Sequence, residues 1–93
     1  MDKKQLSKIY KALSNENRLE IFIDILEAEN RTFEGGCLVA QIKEKFNIGA
    51  PTISHHLKEL SNVGLITTRK EGKYLIADVN RELLEILKDK LSI

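Results

Sequence analysis

The stretch "GAPTISHHLKEL", residues 49–60, decides how this chain is read. It holds the only proline, Pro51, and the only two histidines, His55 and His56. A proline fits the first turn of a helix, where the backbone N–H has no intrahelical partner to lose. After it, Ile53, Leu57 and Leu60 recur at helical spacing, and Gly64 offers the residue that ends a helix. The stretch is therefore predicted to open a helix near Pro51. Neighbouring histidines on a helix point about 100° apart, so His55 and His56 cannot jointly ligate one ion or act as an acid/base pair. With the apolar residues turned inward, the outer face presents Thr52, Ser54, His55, Lys58 and Glu59. Threonine, serine and histidine are mediocre helix formers. Their grouping on an exposed first turn suits donation to phosphates and base edges instead.

The flanks complete a motif. A short helix is predicted from about Cys37 to Phe46, with Leu38, Ile42 and Phe46 on one side, and "NIG" at 47–49 breaks it. Beyond Gly64 the period changes from helical to two. "LITTRKEGKYLIADV" reads as two short strands joined at Gly72, a hairpin with Arg69, Lys70 and Lys73 around its tip. Helix, tight turn, helix and basic hairpin together form a winged helix-turn-helix. The fold class expected is mainly α, with five helices and a two-stranded β-hairpin wing. The motif covers about residues 38–63 and the wing about 65–79. A helix fits the major groove of B-DNA, and a basic hairpin beside it can reach adjacent phosphates or the minor groove. Lysines on such a hairpin also discourage edge-to-edge strand pairing.

Toward the N-terminus, Leu6, Ile9, Tyr10 and Leu13 mark one face of a first helix, about 3–13. "SNEN" lets Ser14 or Asn15 cap a second helix, whose buried side would be Leu19, Ile21, Phe22, Ile25 and Leu26. "NRTFEGG" follows as a turn-rich connection. At the other end, Asn80 can cap a last helix, about 80–91, with Leu84, Leu87 and Leu91 along one face. That helix is more apolar than one small core needs, which points to a second subunit.

Ninety-three residues form one domain with a modest core. The net charge of +1 divides unevenly. Residues 39–77 carry six basic and three acidic side chains, while both flanks are slightly acidic. The positive excess surrounds the opening stretch, as expected where phosphates are met. No apolar run approaches a membrane span, and "MDKKQLSK" lacks the apolar region of a secretory signal, so no membrane role is expected. One cysteine, Cys37, excludes an intramolecular disulfide and suits a cytoplasmic location. The sequence holds no nucleophile elbow, phosphate loop or metalloprotease helix, so an enzyme is not expected.

The blocks "KALSNENRLEIFIDIL", "CLVAQI", "APTISHHLKELSNVGLI" and "KEGKYLIADV" resemble, in order and spacing, the ArsR/SmtB family of prokaryotic winged-helix repressors. The resemblance spans roughly residues 6–91. It implies a homodimer built on the first and last helices, a recognition helix beginning near Ala50, an inverted-repeat operator, and repression relieved by an inducer. Leu6, Ile9, Tyr10, Leu84, Leu87 and Leu91 are the expected interface residues. By position, Ser54 and His55 match the family's DNA-facing pair. Pro51 and Thr52 match its helix start, and Lys73 matches the basic residue after the wing glycine. His56 falls on the core-side flank and is read as a bracing residue.

The family's metal sites are interrupted here. Its Cys-x-Cys pair is reduced to Cys37 with Val39, and one thiolate is a poor cage for an ion wanting four ligands. In the last helix Asp78 matches a ligand, Asn80 replaces the usual histidine, and the distal histidine is missing. No metal or other cofactor is therefore expected, and the inducer is left open. Cys37 reads either as a small apolar residue at a helix start or as a sensor thiol activated by that helix end. A docking module that binds protein rather than DNA is the reading from another class.

Overall fold

A computed structural model describes residues 2–31, 37–46 and 49–91. Helix α1, Lys3–Leu13, begins at Asp2, whose carboxylate accepts the Gln5 N–H at 2.8 Å. Ser14 ends it, its hydroxyl donating to the Lys11 carbonyl at 2.7 Å. Asn15 then caps α2, Glu16–Arg31, by accepting the Arg18 N–H at 3.0 Å. The two residues thus divide the work, one closing a helix and the next opening another. Ile21, Phe22 and Ile25 of α2 are buried as expected, but Leu19 is exposed, because it sits on the flank away from the core.

Strand β1, Cys37–Leu38, leads into α3, Val39–Phe46. The helix was expected to start at Cys37. It starts two residues later because Cys37 and Leu38 pair with Ala77 and Ile76 of the hairpin. Helix α4, Ala50–Asn62, follows with Pro51 in its first turn. At its end Gly64 adopts φ 84, while its N–H reaches the Ser61 carbonyl and the Leu65 N–H reaches the Leu60 carbonyl, at 3.0 and 3.1 Å. This paired closure needs the left-handed conformation that glycine adopts without strain.

Strands β2, Ile66–Glu71, and β3, Tyr74–Val79, form the antiparallel hairpin, turning at Gly72 with φ 60. The five helices and the hairpin are as expected. The addition is β1, which makes the sheet three-stranded in the order β1-β3-β2. Helix α5, Arg81–Leu91, completes the chain. Asn80 caps it by accepting the Leu83 N–H at 3.1 Å, and its amide donates to the Gly64 carbonyl at 3.0 Å. One side chain therefore joins the start of α5 to the end of α4.

The core lies between α2, the back of α4, the sheet and α5. Ile9 of α1, Ile21, Ile25, Ile42, Ile53, Leu60, Leu65 and Ile66 are its largest fully buried side chains. No helix among the described residues is long and apolar enough to cross a membrane. The connection expected at 30–36 and the break at 47–49 lie largely outside the described residues.

Candidate nucleic-acid interface

Helix α4 has two sides of opposite character. Ile53, Leu57 and Leu60 fill the core, and Pro51, Thr52, Ser54, His55 and Lys58 are all exposed on the other side. Burial of three large aliphatic side chains contributes roughly 1.5–3 kcal/mol each, which fixes the rotation of the helix about its axis. Among the described residues, the outer row of hydroxyls, imidazole and ammonium is thereby held in place without side-chain hydrogen bonds of its own. Such a row can donate to phosphate oxygens and base edges.

His56 belongs to the inner side. It is 5% exposed, and its Nδ1 accepts a hydrogen bond from Arg18 Nε at 3.3 Å. The same guanidinium donates through another nitrogen to the Ala12 carbonyl at 3.2 Å. Arg18 thus clamps α1, α2 and α4 together, with His56 as the acceptor on α4. Burial lowers the His56 pKa, and the positive Arg18 and then His55 add to the effect. A neutral imidazole is required, since a protonated Nδ1 could not accept from arginine. The bracing role of His56 was legible from its helix face. Its partner was not, because Arg18 lies 38 residues away in sequence.

The wing is organised differently. Arg69 Nε donates to Asp78 Oδ2 at 2.8 Å across the two strands, and the same side chain pairs with Glu71. Two carboxylates share its charge, Asp78 from the facing strand and Glu71 from its own. Lys70 and Lys73 remain exposed toward the tip, with Lys73 Nζ 5.6 Å from the centre of the Tyr74 ring. Of the three basic residues predicted at the tip, two project freely and one is engaged within the sheet.

Asp78 and Asn80, the positions that the family resemblance relates to metal ligands, have other partners. Asp78 accepts from Arg69, and Asn80 spends both ends of its amide on α5 and Gly64. Among the described residues no group of three or more histidine, cysteine or acidic side chains could hold a metal ion. Cys37 stands in strand β1, two residues before the start of α3. The environment of its thiol lies outside the described residues.

The expected interface residues divide into two groups. Ile9 has no accessible surface and Leu87 only 6%, so both serve the core of their own protomer. Their assignment to an interface is corrected: the apolar faces of α1 and α5 look surplus in sequence, but each is half consumed by packing on the domain. Tyr10 and Leu91, 40% and 57% exposed, remain available, while Leu6 and Leu84 are half-buried.

The sequence pattern described as "Bacterial regulatory protein, arsR family" matches residues 15–68, more than half of the chain. The arsenical resistance operon repressor of Staphylococcus xylosus is 38% identical over 93 residues, covering all of this chain and 83% of the relative. The transcriptional repressor SdpR of Bacillus subtilis is 30% identical over 80 residues, covering 86% and 81%. In structure, an ArsR-like regulator from Rhodococcus sp. RHA1 superposes with a TM-score of 0.74 at 20% identity, covering 95% of this chain and 76% of the other. A homodimeric winged helix-turn-helix DNA-binding domain from Mycobacterium bovis gives 0.68 at 26% identity, covering 97% and 83%.

Proposed function

Because the chain belongs to the arsR family of bacterial regulatory proteins, we propose that it represses transcription as a homodimer on an inverted-repeat operator, with α4 as its reading helix. The observation that carries this reading is the division of α4. Its inner side is locked by Ile53, Leu57, Leu60 and the His56–Arg18 bond, and its outer side offers Thr52, Ser54, His55 and Lys58, with Glu59 as its one acidic group. Ser54 and His55 read base edges or the phosphates beside them. Pro51 and Thr52 set the helix start against the backbone, Lys58 adds a phosphate contact, and Lys70 and Lys73 reach phosphates from the wing. Tyr10 and Leu91, with Leu6 and Leu84, supply the apolar surface for the second subunit.

The relatives include repressors of arsenical resistance operons and a cadmium resistance regulator homologue. A single thiolate per protomer and an Asp78 already held by arginine do not suit the same ligand chemistry here.

Selection from a random duplex library with the purified protein tests the reading. An enriched inverted repeat, its half-sites about 10 base pairs or a multiple apart, is the expected result. Recovery of no enriched sequence would contradict it and favour the docking module.

A further inference from the structure

Helix α1 carries four lysines and no acidic side chain. Three of them, Lys4, Lys8 and Lys11, recur at i, i+4 and i+7 and so form one stripe. All three are exposed, and among the described residues none of them is in an ion pair. The stripe does not face empty surroundings. Lys4 and Lys8 border a cleft with Asn62 and Val63 at the end of α4, where Asp2 is the one acidic side chain. Lys8 and Lys11 border a second cleft with His55 and Asn62, where Glu59 is the one acidic side chain. The stripe is therefore continuous, through His55, with the outer face of the reading helix.

We propose that Lys4, Lys8 and Lys11 form a second phosphate-contact surface, which grips the DNA backbone beyond the segment read by α4. This rests on the DNA-binding reading above and extends its footprint. Seven residues of helix rise about 10 Å, which matches about three phosphates along one strand at 3.4 Å of axis each. Lysine acts on phosphate as a point charge and needs no fixed fork geometry, so an open helix face serves. The other occupant to weigh is the acidic row Glu82, Glu85 and Asp89 on a partner's α5. The position of Tyr10 speaks against it. At about 100° per residue the three lysines lie within an arc of about 60°, and Tyr10, the exposed apolar residue of α1, lies about 130° from its centre. A subunit contact made through Tyr10 leaves the lysine stripe uncovered.

The test uses the full chain with Lys4→Gln, Lys8→Gln and Lys11→Gln combined, glutamine being a good helix former. Binding to a fluorescein-labelled random duplex about four helical turns long, of about 10 base pairs each, is followed by anisotropy. Salt is varied from about 50 to about 200 mM. The slope of log affinity against log salt should shrink by about 0.9 for every lysine that sits on a phosphate. Removing two charges from α5 instead, as Lys88→Gln with Lys90→Gln, should leave the slope unchanged. Equal slopes for the triple variant and the wild type would overturn the inference while leaving the DNA reading intact, since the wild type still binds. No salt-dependent binding by the wild type would overturn the DNA reading itself. A triple variant that sediments as a monomer, where the wild type sediments as a dimer, would also overturn the inference and assign the lysines to the partner's acidic helix.

Discussion

Helix α4 and the β2–β3 wing carry similar polar chemistry, yet they hold it by opposite means. The helix keeps its outward groups free and is fixed from behind by Ile53, Leu57, Leu60 and the Arg18–His56 bond. The wing is backed through one strand only: β3 buries Ile76, Ala77 and Val79, whereas in β2 only Ile66 is buried, and Arg69 ties β2 to Asp78 of β3 while pairing with Glu71 of its own strand. A surface that must present side chains in one geometry needs a packed back. A surface that supplies only charge needs an anchor and two free lysines.

The largest expected effect separates the two supports. Ile53→Ala should cost about 2–5 kcal/mol in urea denaturation, because the site is fully enclosed. Thr68→Ala, on the exposed face of the wing, should stay within about 0.5 kcal/mol. Comparable losses at the two positions would mean that the wing is packed more deeply than its exposure indicates.

Next in size is the split within the wing. Lys70→Ala with Lys73→Ala should lower the salt slope of DNA binding by about 2, one unit per lost phosphate contact, and weaken specific and random duplexes alike. Arg69→Ala should leave that slope near the wild-type value and instead lower the melting temperature slightly, since exposed pairs contribute little. A slope that responds to Arg69 as it does to the lysines would place its guanidinium on the DNA rather than on Asp78.

The smallest effect concerns the support behind α4. The folded state holds the His56 pKa below its unfolded value of about 6.5, so the unfolded chain takes up the proton more readily. Stability is then fully present above about pH 6.5 and declines as the pH falls toward the lowered folded value. The urea midpoint measured from neutral to mildly acidic pH should show this decline. His56→Gln, which has no proton to take up, should flatten it. An unchanged acid slope in that variant would assign the decline to other groups.

Much of this architecture was legible in the sequence because it is local. Proline at a helix start, glycine after its end, the shift from period 3.6 to period 2, and apolar spacing each concern residues a few positions apart. The interface residues were only half legible, since helical spacing shows that Ile9 and Leu87 face something apolar but not whether it is their own core. Strand β1 was missed because two residues carry no periodicity, and only their pairing with Ala77 and Ile76 makes them a strand. Arg18 was missed for the same reason at longer range. The lysine stripe was present in the letters, but charge summed over the first 38 residues concealed it, because the acidic side chains of α2 cancel the lysines of α1.

The central claim is that α4 reads sequence through Ser54 and His55. It is tested most directly by the ratio of affinities for the selected inverted repeat and for random duplex, measured in competition for the wild type and for Ser54→Ala with His55→Ala. Each lost base contact should remove about 1–3 kcal/mol of discrimination, so the ratio should fall by at least about tenfold while random-duplex binding changes far less. A double variant that keeps the wild-type ratio would contradict the account.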